Sequence, residues 1–107
     1  MIFESLWEAS KRGELLCVDG GFCHWHKRRD GQLTIREIIS TRPGAGSEML
    51  ARLKLVPGIT KIVAKCPADL QANAFWAKKG FALVDHETTR TGRKINVWQL
   101  GLPPEPV

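Results

Sequence analysis

What most constrains this chain is an abrupt change of hydrophobic period on either side of Ser40-Thr41-Arg42-Pro43-Gly44-Ala45-Gly46-Ser47. Before it, Gln32 to Ile39 alternates as a strand, which places Leu33, Ile35, Glu37 and Ile39 on one face unless a bulge shifts the phase. After it, Met49, Leu50 and Leu53 recur at helical spacing. The chain therefore passes from strand to helix through a short loop with two glycines, whose backbone can approach a ligand closely. The first N–H groups of the new helix lack internal partners and sit at the positive end of its dipole. Such a place suits phosphate or pyrophosphate, and Arg42 adds a positive charge beside it. The same residues also describe an ordinary glycine-rich turn. No third glycine follows three residues after Gly46, and no Gly-Lys-Ser/Thr occurs, so neither the dinucleotide fingerprint nor the phosphate-loop pattern is met.

The other elements follow in order. Met1 to Arg12 carries Phe3, Leu6 and Trp7 at helical spacing, and Gly13 suits its stop. Glu14 to Val18, Phe22 to Arg29 and Gln32 to Ile39 read as an antiparallel meander, with turns at Asp19-Gly20-Gly21 and Asp30-Gly31. Beyond the first crossover helix and Val56-Pro57-Gly58, Ile59 to Lys65 reads as a buried strand parallel to its predecessor. From Pro67 a second helix carries Leu70, Ala74, Phe75 and Ala77 as its apolar stripe, and Gly80 ends it. Phe81 to Thr88 and Lys94 to Leu100 are the last strands. This order predicts an α/β (α+β) domain over residues 1–101, with a mixed sheet and helices on both faces, and a loose proline-rich tail over 102–107.

The chain has 107 residues and a formal net charge of +5, which favours an anionic partner. Its three cysteines, Cys17, Cys23 and Cys66, form no Cys-x-x-Cys pair. With no signal-peptide pattern and no apolar run of membrane length, a reduced, cytoplasmic protein is expected. Cys23-His24-x-His26 hints at a metal. Strand alternation sends Cys23 to the face opposite the histidines, however, and no distant pair completes a tetrahedral set, so no metal is expected.

The element order, the Arg42-Pro43-Gly44-Ala45-Gly46 loop, and the run from Asp69 to Phe81 (DLQANAFWAKKGF) together resemble the GNAT acetyltransferase superfamily, over roughly Glu14 to Leu100. The resemblance implies acetyl-CoA or another acyl-CoA as co-substrate, its pantetheine arm held where the two parallel strands splay apart. It implies main-chain contacts from Ile38, Ile39 and Ser40, and a diphosphate site at Arg42, Gly44, Ala45, Gly46 and Ser47. Asp69 and Asn73 would face the cofactor arm, or Asp69 would cap the second helix. Two departures stand out. Thr41 occupies the place where the family's loop usually begins with Gln or Arg. Trp76 stands where the family commonly has a tyrosine that protonates the departing thiolate, and the chain contains no tyrosine. Trp76 would then pack against the acyl arm or the core. Only one helix stands for the usual first strand and two helices, which implies an open acceptor site suited to macromolecules.

Acyl transfer needs a neutral amine and hence a base or a water path. Glu37 is the first candidate, then His24 and His26, which share a strand face. The acceptor stays open among protein, nucleic acid and small amine. Two other readings remain: a nucleic-acid module built on Trp25-His26-Lys27-Arg28-Arg29, and a catalytically silent CoA-binding protein. Exposed strand edges suggest a homodimer.

Overall fold

The structure, a computed structural model, describes residues 2–103, without the side chains of Ile2, Phe3, Ser5, Leu6 and Ala9. The expected apolar stripe at Phe3 and Leu6, and residues 104–107 of the expected tail, lie outside the described residues. The elements are α1 (Ile2–Lys11), β1 (Leu15–Val18), β2 (Gly21–Lys27), β3 (Gln32–Ser40), α2 (Ala45–Leu53), β4 (Lys61–Pro67), α3 (Ala72–Lys78), β5 (Ala82–Thr88) and β6 (Lys94–Gly101). The strands form one sheet in the order β1-β2-β3-β4-β6-β5. Among the described residues only β3 and β4 pair in parallel, as a helical crossover requires.

Strand pairing puts Leu16, Val18, Cys23, Trp25, Leu33, Ile35, Ile62, Ala64, Cys66 and Trp98 on one face. Ala45 and Met49 of α2 crowd Gly21 on that face, and Asn73 of α3 is hydrogen-bonded to Trp98. Both helices therefore cover the same side. The core between them joins Leu33, Ile35 and Ile62 to Met49, Leu50 and Leu53, with Trp76, Phe81 and Trp98 at its far end. Leu33, Met49, Leu53 and Ile62 are fully buried, each worth about 1.5–3 kcal/mol of transfer free energy. Helix α1 touches β1 and β2. Trp7 does not dock: it is 58% exposed, with the Lys11 ammonium over its ring.

Three local expectations are corrected. A bulge leaves Arg36 of β3 without a partner, since Trp25 pairs with Ile35 and His24 with Glu37. The strand's phase shifts there, so Glu37 and Ile39 leave the face of Leu33 and Ile35, and Ile38 joins it. The buried strand begins at Lys61 rather than Ile59 and runs to Pro67, because Ile59 plugs the core from the loop before it. The second helix begins at Ala72, after turns over residues 68–71. This delayed start rotates the stripe: Leu70, Ala74 and Ala77 are exposed, and Trp76 is the buried anchor.

Candidate active site between β3 and β4

The parallel pairing of β3 with β4 stops at Ile35 opposite Ala64. Arg36, the bulged residue, is the next in β3, and a bulge bends its strand and sharpens the local twist. Beyond it the two strands diverge, and the space between them is a cavity of about 450 Å³. Ile35 to Ile38 and Ser40 line one wall, Ala64 to Pro67 the other. Gly46 of α2 and Leu70, Ala72, Phe75 and Trp76 from around α3 close the helix side.

The start of α2 borders this space. Gly44 precedes the helix at φ 87°, a left-handed value that disfavours side chains, and no side chain caps the helix. The amides of Gly44, Gly46 and Ser47 have no acceptor among the described residues. A Cβ added at Gly46 would lie 3.2 Å from the Phe75 ring, so a side chain here would press on that ring. Free amides at the positive end of a helix make an anion cradle.

No protein-family model matches the sequence, and no curated protein matches it. Solved structures do. An aminoglycoside 6'-N-acetyltransferase complexed with coenzyme A superposes with a TM-score of 0.77 at 12% identity, over 97% of this chain and 81% of that one. Ard1 from Thermoplasma volcanium gives 0.70 at 15% identity, over 78% of this chain and 64% of that one. A protein assigned to the acetyltransferases of the GNAT family, from Desulfovibrio desulfuricans, gives 0.67 at 14% identity, over 77% of this chain and 60% of that one. This chain has the GNAT fold. It spans less than two thirds of the length of the last two proteins.

Within this GNAT fold the expected site residues divide. Glu37, Ile38, Ser40, Gly46 and Trp76 line the gap, and the amides of Gly44 and Ser47 border it. Ile39 does not line it; the bulge turns its side chain outward, 39% exposed. Ala45 is a core residue, and its amide is spent on the carbonyl of Arg42 at 3.2 Å. Arg42 leans away: its guanidinium donates to the Asp19 carbonyl at 2.9 and 3.2 Å, tying the loop to the β1–β2 turn. The cradle's positive potential therefore comes from backbone rather than from arginine.

Asp69 and Asn73 do not face the gap. Asp69 is exposed and meets Arg93 at 3.4 Å, and it caps nothing, because α3 begins three residues later. The Asn73 amide is fully used. Its Nδ2 donates to the carbonyls of Pro67 and Leu70 at 2.8 and 2.7 Å. Its Oδ1 accepts from Asn96 at 3.0 Å and from the Trp98 indole at 2.9 Å. It fastens α3 to the end of β4 and to β6. Trp76 is 4% exposed and packs edge-on against Phe75 and Phe81, so it is core first and cavity wall second.

His24 lies opposite Glu37 across β2 and β3 but is buried and does not line the gap. His26 is on the same face, half-exposed, with Nδ1 against the Glu14 carboxylate. Burial pushes the Glu14 carboxyl up, but hydrogen bonds from Arg12 and His26 outweigh it and hold it below its usual range. Cys23 points to the core, where burial pushes its thiol up to about 12. Trp25 also turns toward the core, so it forms no stacking surface with the basic residues after it.

Four contributors escaped the sequence. Arg36 was hidden because the bulge removes it from both alternating faces. Lys65 and Cys66 reach the gap only because β4 extends past them. Burial, with the Asp69 carboxylate adding to it, pushes the Cys66 thiol up, so it stays protonated at neutral pH and is a poor nucleophile. Glu14 and His26 are twelve residues apart and meet only through the β1–β2 register.

Proposed function

We propose that this chain is an acyl-CoA-dependent N-acyltransferase, with acetyl-CoA its first candidate co-substrate, acting by direct attack of an amine. One observation carries the reading: the opening between the parallel strands ends beside three free amides at the start of α2. The amides of Gly44, Gly46 and Ser47 would hold the diphosphate. The backbone edges released beyond Ile35 and Ala64 would pair with the pantetheine arm. Phe75, Leu70 and Trp76 would shield that arm from water.

A bound acyl-CoA supplies an electrophilic thioester carbonyl. Glu37 is the carboxylate that lines the gap, and in this reading it takes the proton from the attacking amine. Trp76 cannot replace a tyrosine as acid, since its indole N–H does not titrate in a useful range. With no acid among the residues lining the gap assigned to it, the proton for the leaving thiol would come from solvent through the open mouth of the gap.

Calorimetric titration with acetyl-CoA, paired with a thiol-release assay on a panel of amines, tests the proposal. Saturable binding with amine-dependent thiol release is the expected result. Binding with no release from any acceptor would make the chain a silent CoA-binding protein. No binding would reject the site.

A further inference from the structure

A second space, of about 580 Å³, opens on the sheet face away from α2 and α3. His26, Gln32, Thr34 and Lys65 point to it from that face, and Arg28 and Arg36 complete its rim. It shares Ile35, Arg36 and Lys65 with the gap between β3 and β4. The two spaces therefore adjoin at these three residues. A group lying in the second space sits next to the gap without crossing the core.

Its charge is lopsided. Arg28 is neutralised by Asp30 at 2.7 Å, and Lys65 by Glu87 at 2.7 Å. His26 is held by Glu14. Arg36 is exposed and has no hydrogen bond or ion pair among the described residues. It stands on the bulge where the two spaces meet, and no carboxylate lines the second space to oppose it. An unpaired guanidinium presents a planar fork of donors that matches carboxylate or phosphate oxygens.

The geometry points to an acceptor subsite for an amine that also carries an oxyanion, a carboxylate or a phosphate, held by Arg36 while its amine enters the gap beside Glu37. This rests on the acyltransferase reading and narrows it to a substrate class. The same charge pattern disfavours polycationic acceptors, which Arg36 would repel.

The test uses the full chain saturated with coenzyme A, so that the amide cradle is already filled. Coenzyme A binding is measured first. The complex is then titrated with O-phosphoethanolamine, β-alanine and ethanolamine in a calorimeter. At least one of the two oxyanion-bearing amines is expected to bind about tenfold or more tightly than ethanolamine, in keeping with a charge-assisted hydrogen bond. Arg36→Gln, saturated in the same way, should reduce that ratio to within about twofold, the loss of that one charge-assisted contact. Equal affinities, no binding by any of the three, or a ratio unchanged in Arg36→Gln would overturn the subsite. If coenzyme A itself fails to bind, the acyltransferase reading falls and this inference with it. If coenzyme A binds without the preference, only this inference fails.

Discussion

Replacing Asn73 by alanine separates a structural role from a cofactor role at one position. In the native chain its amide makes four short bonds, at 2.8 and 2.7 Å through Nδ2 and at 3.0 and 2.9 Å through Oδ1. Each such bond contributes about 1 kcal/mol net, and a buried donor left without an acceptor costs roughly 1–3 kcal/mol more. The Pro67 and Leu70 carbonyls lie near solvent and recover water, whereas the Trp98 indole, on a residue only 9% exposed, does not. The expected loss is therefore about 3 kcal/mol, a large share of the ~5–15 kcal/mol typical of a domain. Urea unfolding should show a lower midpoint with an unchanged slope. Trp98→Phe alone should cost about 1 kcal/mol for the lost bond, because Asn96 still satisfies the Asn73 oxygen, besides a cavity cost common to both backgrounds. In the Asn73→Ala background the same change should cost less, since it removes the stranded donor, giving a coupling of roughly 1–2 kcal/mol. If Asn73→Ala weakened coenzyme binding and left the midpoint alone, the reasoning would be wrong, and Asn73 would return to the cofactor site.

Other outcomes follow from the same geometry. Gly46→Glu should abolish coenzyme binding, because a side chain there meets Phe75 and sets a carboxylate at the cradle; undiminished affinity by calorimetry would reject that placement. Glu37→Gln should slow thiol release while coenzyme affinity holds, and an unchanged rate would pass the proton to His26 or water. The Glu14 carboxyl titrates lower in the folded chain than its ordinary value of 4.5. Its stabilising share is thus fully present above that value and lost as pH falls through the folded one. Unfolding midpoints of Glu14→Gln and wild type should therefore converge as the solution is acidified below that range; a constant difference would refute the linkage.

Much of the fold could be read from residues alone, and the reasons are local. Asp30-Gly31 and Gly20-Gly21 fix the meander, and the change of period around Gly44 fixes the crossover, hence the parallel pair. The free amides at the start of α2 were legible for the same reason: a strand-loop-helix pattern implies them wherever it occurs. What stayed hidden depended on phase or on long-range pairing. One extra residue at Arg36 reverses every inward and outward assignment in the second half of β3, and nothing in the run LTIREIIS marks it. The stripe of α3 was misplaced because Pro67 could close a strand or open a helix; the strand won, and Trp76 rather than Leu70 went inside. Asn73 looked like a ligand contact because its true partners, Asn96 and Trp98, lie over twenty positions away.

The single unpaired residue in β3 also divides the work of that strand. Upstream, Leu33 and Ile35 answer to the core, where a change of one methylene is felt. Downstream, Glu37 and Ser40 answer mainly to whatever occupies the opening, while Ile38 still packs against the core. Substitutions at Glu37 and Ser40 can retune what is admitted and leave the hydrophobic interior as it is. Deleting Arg36 would restore unbroken alternation in β3 and remove a side chain that both spaces share.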